Sequence, residues 1–277
     1  MMPEDKHISK IAKYISFFRI RFISGLQYRA AALGGVVTQF AWGFMSILMF
    51  RAFYSENTDA FPMTFQAVAS YIWLQQAFLS LFMPWVLEND IFKTITDGSI
   101  AYELCRPINI YNMWFVKNVA SRLSKALLRS VPILLVAAFL RAPYELRPPA
   151  SLHAVLWFLI TAFLGLMVVV AFCMIIYILA FFTLSPLGLR ILMTGLVEFL
   201  AGAIIPLPFL PEGIRIIIEL LPFASIQNVP LRIYTGDISG VEIYARAGLQ
   251  LFWFILLVFS GKLLIRKAER KVVVQGG

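Results

Sequence analysis

Few side chains in this sequence are equipped for chemistry, and those few stand alone. The 277 residues contain two histidines, His7 and His153, and two cysteines, Cys105 and Cys173. Neither cysteine has a His or Cys neighbour at metal-ligand spacing, so no metal centre and no nucleophile–base pair can be assembled. Glu198 is the ionisable residue in an unusual setting, because it interrupts the apolar run Ile191–Ile205. A carboxyl at membrane depth costs at least about 2–3 kcal/mol and usually faces a cavity or a partner. Glu198 therefore lines a path, pairs with an Arg or a hydroxyl, or is protonated. Just after it, Gly202-Ala-Ile-Ile-Pro206-Leu-Pro208-Phe-Leu-Pro211 ends the run, and Leu221-Pro222-Phe223 stops a second, shorter one. Pro206, Pro208 and Pro211 cannot share one regular helix. Backbone groups left unpaired in lipid must be buried in protein or face a cavity. Glu198, Gly202, Pro206, Pro208, Pro211 and Pro222 are thus candidates for a path and its gate; the other reading is a structural Glu198 under an outer-surface cap that shields the bundle.

These residues must be held by membrane helices. The sequence is 60% hydrophobic and 14% charged, with a mean hydropathy of +0.81. Soluble domains carry about 25% charged residues. An all-α polytopic membrane protein is expected, with residues 1–277 forming a single transmembrane domain. The N-terminal stretch lacks the short apolar core and small-residue cleavage site of a signal peptide. About 20 apolar residues cross a bilayer. Six spans fit: Ala30–Phe50, Phe65–Leu87, Ala126–Leu140, one within Leu152–Leu184, Ile191–Ile205 and Ile243–Ile265. The third contains Arg129, so it is expected to continue a helix rising from the charged side, with Lys117, Arg122, Lys125 and Arg129 snorkelling to the headgroups. Ser185-Pro186-Leu187-Gly188 reads as a tight turn.

Charge orients the spans. Of 24 Lys and Arg, only Arg51, Arg141, Arg147, Arg215, Arg232 and Arg246 fall on one face. The positive-inside rule makes the other face cytoplasmic and places both termini there. The same placement assigns the net charge of +9 to topology rather than to nucleic acid. Ahead of the first span, within residues 6–29, Ile8, Ile11, Ile15, Phe18, Phe22 and Leu26 recur at helical spacing among basic residues. That pattern predicts an amphipathic interfacial helix on the inner leaflet, in contact with lipid.

Two connecting segments carry more information than topology requires. Residues 88–112 mix Glu88, Asp90, Asp97 and Glu103 with Lys93 and Arg106. Asp97-Gly98 is a turn signal between helices expected over Glu88–Thr96 and Ile100–Cys105, the second stopping before Pro107. Mixed charge on short helices suits docking onto a soluble partner; the alternative is a solvated loop whose charges are incidental. Residues 206–223 form the other segment, an outer-leaflet hairpin between spans five and six. There Ile214–Leu221 would make a helix of about 12 Å, less than half the hydrocarbon thickness. Arg215 and Glu219, four residues apart, would pair on one face.

Taken together, the amphipathic first helix, the six spans, Asp97-Gly98-Ser-Ile-Ala-Tyr-Glu-Leu-Cys-Arg106-Pro107 and the segment Gly202 to Pro211 with Leu221-Pro222-Phe223 resemble the permease subunits of type-2 ABC exporters. The resemblance covers nearly the whole chain and is nearest to the small bacterial viologen-exporter-like branch. It implies a bacterial inner-membrane permease, the same or a paralogous permease beside it, and two copies of an ABC ATP-binding subunit beneath. Glu88, Asp90, Lys93, Asp97, Gly98, Arg106 and Pro107 would form the ATPase-coupling loop. Cargo would be an amphiphilic drug, organic cation or lipid-like compound. Trp42, Trp73, Gln75, Gln76 and Met83 are candidates to line its path. The chain lacks a Gly-x-x-x-x-Gly-Lys-Ser/Thr loop, so it is not expected to be an enzyme or to need a cofactor, and ATP hydrolysis falls to the partner. The alternative is an ATP-independent carrier or channel, which would leave the mixed-charge loop unexplained. Carriers also often pair their broken helices, and one break is visible here.

Overall fold

The computed structural model describes residues 3–56, 61–183 and 186–270, with side chains from Ile11 onward. Every regular element among them is helical. In chain order these are α1 (Pro3–Leu26), α2 (Arg29–Glu56), α3 (Phe65–Ala77), α4 (Leu79–Phe82), α5 (Asn89–Thr96), α6 (Ile100–Leu104), α7 (Ile110–Ala138), α8 (Leu152–Leu179), α9 (Pro186–Leu200), α10 (Glu212–Leu220), α11 (Asn228–Tyr234) and α12 (Val241–Glu269). A 3-10 turn, Leu207–Phe209, precedes α10.

Three of these helices, α2, α8 and α12, are long and apolar enough to cross a bilayer. The other expected spans take different forms. The apolar run Ala126–Leu140 is the second half of α7, whose first half carries Lys117, Arg122 and Lys125. The run Phe65–Leu87 is not one helix. It breaks at Phe78, resumes as α4 and stops at Phe82. Pro84 explains the stop, because its ring pushes the preceding residue out of helical geometry, and Met83 sits at ψ 130°. The expected turn at Ser185–Gly188 is also revised. Ser185 lies outside the described residues, and Pro186 opens α9, where its missing N–H costs nothing. Lys271 likewise lies outside the described residues.

The helices gather around α7 and α8. Helix α8 packs against α12 and α11, and α7 contacts α1, α2, α3, α4 and α8. The main apolar core joins α3, α4, α7, α8 and α11, with Trp114, Tyr177, Phe82 and Leu166 among its fully buried side chains. A second core lies between α2, α3 and α7, around Ile47, Trp73 and Ile133. Helix α1 lies along α7, with Phe17 against the main core and Gly25 beside Ser124. Its expected apolar face divides: Phe18, Phe22 and Leu26 are half-buried, and Ile11 and Ile15 are exposed.

The break at the end of α4 is closed from α7. Arg122 is buried, 1% exposed, and does not snorkel. Its Nη1 donates to the carbonyls of Leu81 (3.2 Å) and Met83 (2.8 Å). Its Nη2 donates to the carbonyl of Val86 (2.8 Å) and to Cys173 Sγ (3.2 Å). A helix end buried in protein needs donors for its last carbonyls, and a guanidinium offers five N–H groups in a rigid fork. Arg122→Leu should therefore destabilise the protein by at least about 2–3 kcal/mol, since it strands several buried acceptors at once. Arg122→Lys should recover only part of the loss, because an ammonium lacks the fork. Thermal unfolding in detergent measures both, and a melting temperature for Arg122→Leu equal to the parent's would contradict the assignment.

Candidate functional site

A cleft of about 810 Å³ opens between α2, the α3–α4 segment and α9. Helix α2 contributes Thr38, Gln39, Trp42 and Ser46, and α3 contributes Gln75 and Gln76. Met83 and Trp85 follow α4, Arg129 comes from α7, and Glu198, Ala203 and Ile204 come from α9 and the turns after it. Of the path candidates in the sequence, Trp42, Gln75, Gln76, Met83 and Glu198 thus meet in one place. Trp73 does not. It is fully buried, packs edge-on against Phe40 and Phe44, and donates from Nε1 to the Tyr144 carbonyl at 2.8 Å. Glu198 is half-buried, with the Trp85 side chain within hydrogen-bonding reach.

The chain after α9 passes through turns whose carbonyls find donors elsewhere. Gly202 adopts φ +74°, a left-handed conformation that residues with a Cβ rarely tolerate. Gln75 Nε2 donates to the Ala203 carbonyl at 2.6 Å, Gln227 Nε2 to Ala201 at 3.4 Å and Tyr71 Oη to Gly202 at 3.5 Å. Gly202, Pro206, Pro208 and Pro222 are buried and Pro211 is exposed, all outside the cleft lining. The expected Arg215–Glu219 pair is not formed. Glu219 is buried between Arg232 and Arg246, at 2.5 Å from each. Arg232 also pairs with Asp237, and Arg246 with Glu242 at 2.9 Å. A buried carboxylate needs close, desolvated partners, and α11 and α12 supply them where the helical neighbour Arg215 does not.

The loop between α4 and α7 is stapled on its inner side. Lys117 pairs with Asp90, and Lys125 lies 3.5 Å from Glu88. The Glu88 backbone N–H donates to Tyr177 Oη at 2.7 Å, and Tyr177 donates in turn to Asn118 Oδ1 at 3.1 Å. Arg190 on α9 donates to Asn89 Oδ1 at 2.7 Å. Trp114 Nε1 donates to Glu103 at 2.8 Å. Lys93, Asp97, Gly98, Tyr102, Arg106 and Pro107 are left exposed. Asp97 accepts from the Ser99 N–H at 2.9 Å, and bonding to Ser99 holds its carboxyl below the usual range. Among the described residues no three His, Cys, Asp or Glu side chains converge as metal ligands.

A family model described as ABC-2 family transporter protein matches residues 40–276. The chain belongs to this family. No curated protein matches the sequence. Family membership makes the chain a multi-pass membrane component of an ABC transporter, with an ATP-binding subunit as partner.

Sequence reasoning missed Gln39, Trp85 and Arg129 as wall residues of this ABC-2 permease. Arg129 carried a signal, since its charge lies inside an apolar run just as that of Glu198 does. The cleft's integrity depends on the break after α9 keeping its donors. Gln75→Leu should lower stability by about 1–3 kcal/mol, the cost of an unsatisfied buried carbonyl. Gln227→Leu, whose bond is longer, should cost less. Thermal unfolding of the two variants checks the order, and the reverse order would contradict the role given to Gln75.

Proposed function

We propose that the chain is the permease subunit of an ATP-driven exporter in the bacterial cytoplasmic membrane. It crosses the bilayer six times, with both termini cytoplasmic and residues 1–277 forming one transmembrane domain. The cargo is an amphiphilic small molecule: a drug, an organic cation or a lipid-like compound. The observation that carries this reading is that the cleft and the stapled loop share their supports. Helix α7 supplies Arg129 to the cleft and Lys117 and Lys125 to the loop, and α9 supplies Glu198 to the cleft and Arg190 to the loop.

Helices α2 and α9, which both line the cleft, also expose Leu33, Val37, Leu48, Ile191, Leu192 and Leu196. A second permease, identical or paralogous, would cover these side chains and supply the missing wall of the cleft. Two ATP-binding subunits would dock on the exposed rim of residues 88–112. Their closure would push α5 and α1, and the ion pairs to α7 and the Arg190 bond to α9 would pass the displacement to the cleft walls. Pro206–Phe223, clamped by Glu219, Arg232 and Arg246, would form the outer gate. An ATP-independent carrier would have no use for a loop tied on one side and bare on the other.

Two outcomes are expected. Detergent extraction from native membranes should co-purify an ABC ATP-binding subunit, and recovery of the chain alone would favour the carrier. The double variant Lys93→Glu with Asp97→Lys reverses the exposed charges and leaves the Asp90–Lys117 pair in place. It should release the ATP-binding subunit at moderate salt without reducing membrane insertion, and full retention would place the docking surface elsewhere.

A further inference from the structure

Two charges of opposite sign line the cleft, Arg129 and Glu198, and among the described residues they are its only charged lining residues. Neither forms an ion pair among the described residues. The Arg129 guanidinium lies in a notch of α2. A Cβ added to Gly35 would come within 2.6 Å of its Cζ and 2.8 Å of its Nη2. Arg129 Nε is buried without a hydrogen-bond partner, and so are both polar atoms of Gln39, itself 4% exposed. Native proteins pair more than nine in ten of their buried polar groups, so unpaired ones clustered on a cleft wall mark a place where a ligand completes the bonding. At the other wall, Glu198 stands beside Trp85, and the Trp42 ring is exposed in the same cleft. Indole rings and a carboxylate in one cleft together suit an alkylammonium.

We propose that the cleft recognises a zwitterionic amphiphile, with its cationic end at Glu198 and the tryptophans and its anionic end at Arg129. A purely cationic amphiphile meets Arg129 as a like charge, and a purely anionic one meets Glu198. Only a cargo carrying both signs answers both, and the like-charge contacts exclude the others. The cleft volume lies within the range of about 300–1,000 Å³ usual for small-molecule sites. The apolar tail is served by Met45, Met49 and Leu79, which complete the lining. The inference rests on the cleft being the cargo site of the proposed function.

The test is equilibrium binding to the full chain in nanodiscs, without nucleotide, of three probes that share a dodecyl tail: dodecylphosphocholine, dodecyltrimethylammonium and dodecyl phosphate, each below its micellar concentration. The zwitterion should bind at least about tenfold more tightly than either singly charged probe, the effect of one charge-assisted contact. Glu198→Gln should abolish its advantage over dodecyl phosphate. Arg129→Gln should abolish its advantage over dodecyltrimethylammonium, and Arg129→Lys should retain it. If Arg129→Gln fails to fold, Gly35→Ala displaces the guanidinium without removing the charge and should have the same effect. Equal binding of the cationic probe, a ranking that neither variant alters, or no binding of any probe would overturn the proposal. Failure of the ranking while the ATP-binding subunit still co-purifies removes this inference alone. A chain that ranks the probes but holds no ATP-binding subunit removes the exporter reading and leaves the cleft assignment standing.

Discussion

Arg122 is the contact on which the arrangement depends. Pro84 forbids the second apolar run from continuing as a helix, and the carbonyls of Leu81, Met83 and Val86 are left facing the protein interior. Buried in protein, they need donors from the protein itself. One guanidinium, fixed on α7 and buried against Cys173 of α8, gathers them. The direction in which the chain leaves α4 is thereby set, and with it the start of α5. The break after α9 is handled with neutral donors from Tyr71, Gln75 and Gln227. Both interruptions lie beside the cleft, so the backbone that bounds it is irregular and is held by side-chain donors.

Further contacts tie the loop to the helices that wall the cleft. Tyr177 on α8 receives the Glu88 N–H and reaches Asn118 on α7, and Phe92 of α5 packs on its ring at 5.0 Å. Lys117 and Lys125 hold α5 from one side, and Arg190 holds it from α9. In the proposed mechanism, displacing α5 would strain these contacts to α7 and α9 together. A packed core with discrete side-chain arrangements transmits such a shift as a step. At the opposite end, Glu219, Asp237 and Glu242 with Arg232 and Arg246 bind α10 to α11 and α12.

Apolar runs and charge placement made the helical membrane class legible in the sequence, because lipid tolerates few alternatives. The mixed-charge loop was visible as a feature, and so was the isolated Glu198. What sequence could not reveal was pairing across the fold. Arg122 and Arg129 look alike in the sequence, two basic residues seven positions apart on one helix, yet one caps a broken helix and the other lines a cleft. Glu88 and Asp90 read as docking acids, and the fold pairs both with lysines of α7, which leaves Glu88 mostly covered and Asp90 exposed beside Lys93, Asp97 and Arg106. Glu219 had a helical neighbour in Arg215 and chose partners 13 and 27 positions away. Local spacing predicts a pair only where no better-desolvated partner arrives from another element.

In the proposed function the cleft between α2, α3–α4 and α9 is a cargo path driven by ATP. Ser46 is a half-buried cleft residue that accepts cysteine with little change in volume. Cys105 is exposed and would be replaced by serine, and Cys173 is buried and unreactive toward large reagents. In vesicles carrying the chain with its ATP-binding subunit, Ser46→Cys should react with a membrane-impermeant maleimide from the cytoplasmic side without nucleotide. It should react from the outer side when ATP is bound and hydrolysis is blocked. Labelling that ignores nucleotide, or that occurs from neither side, would contradict the account.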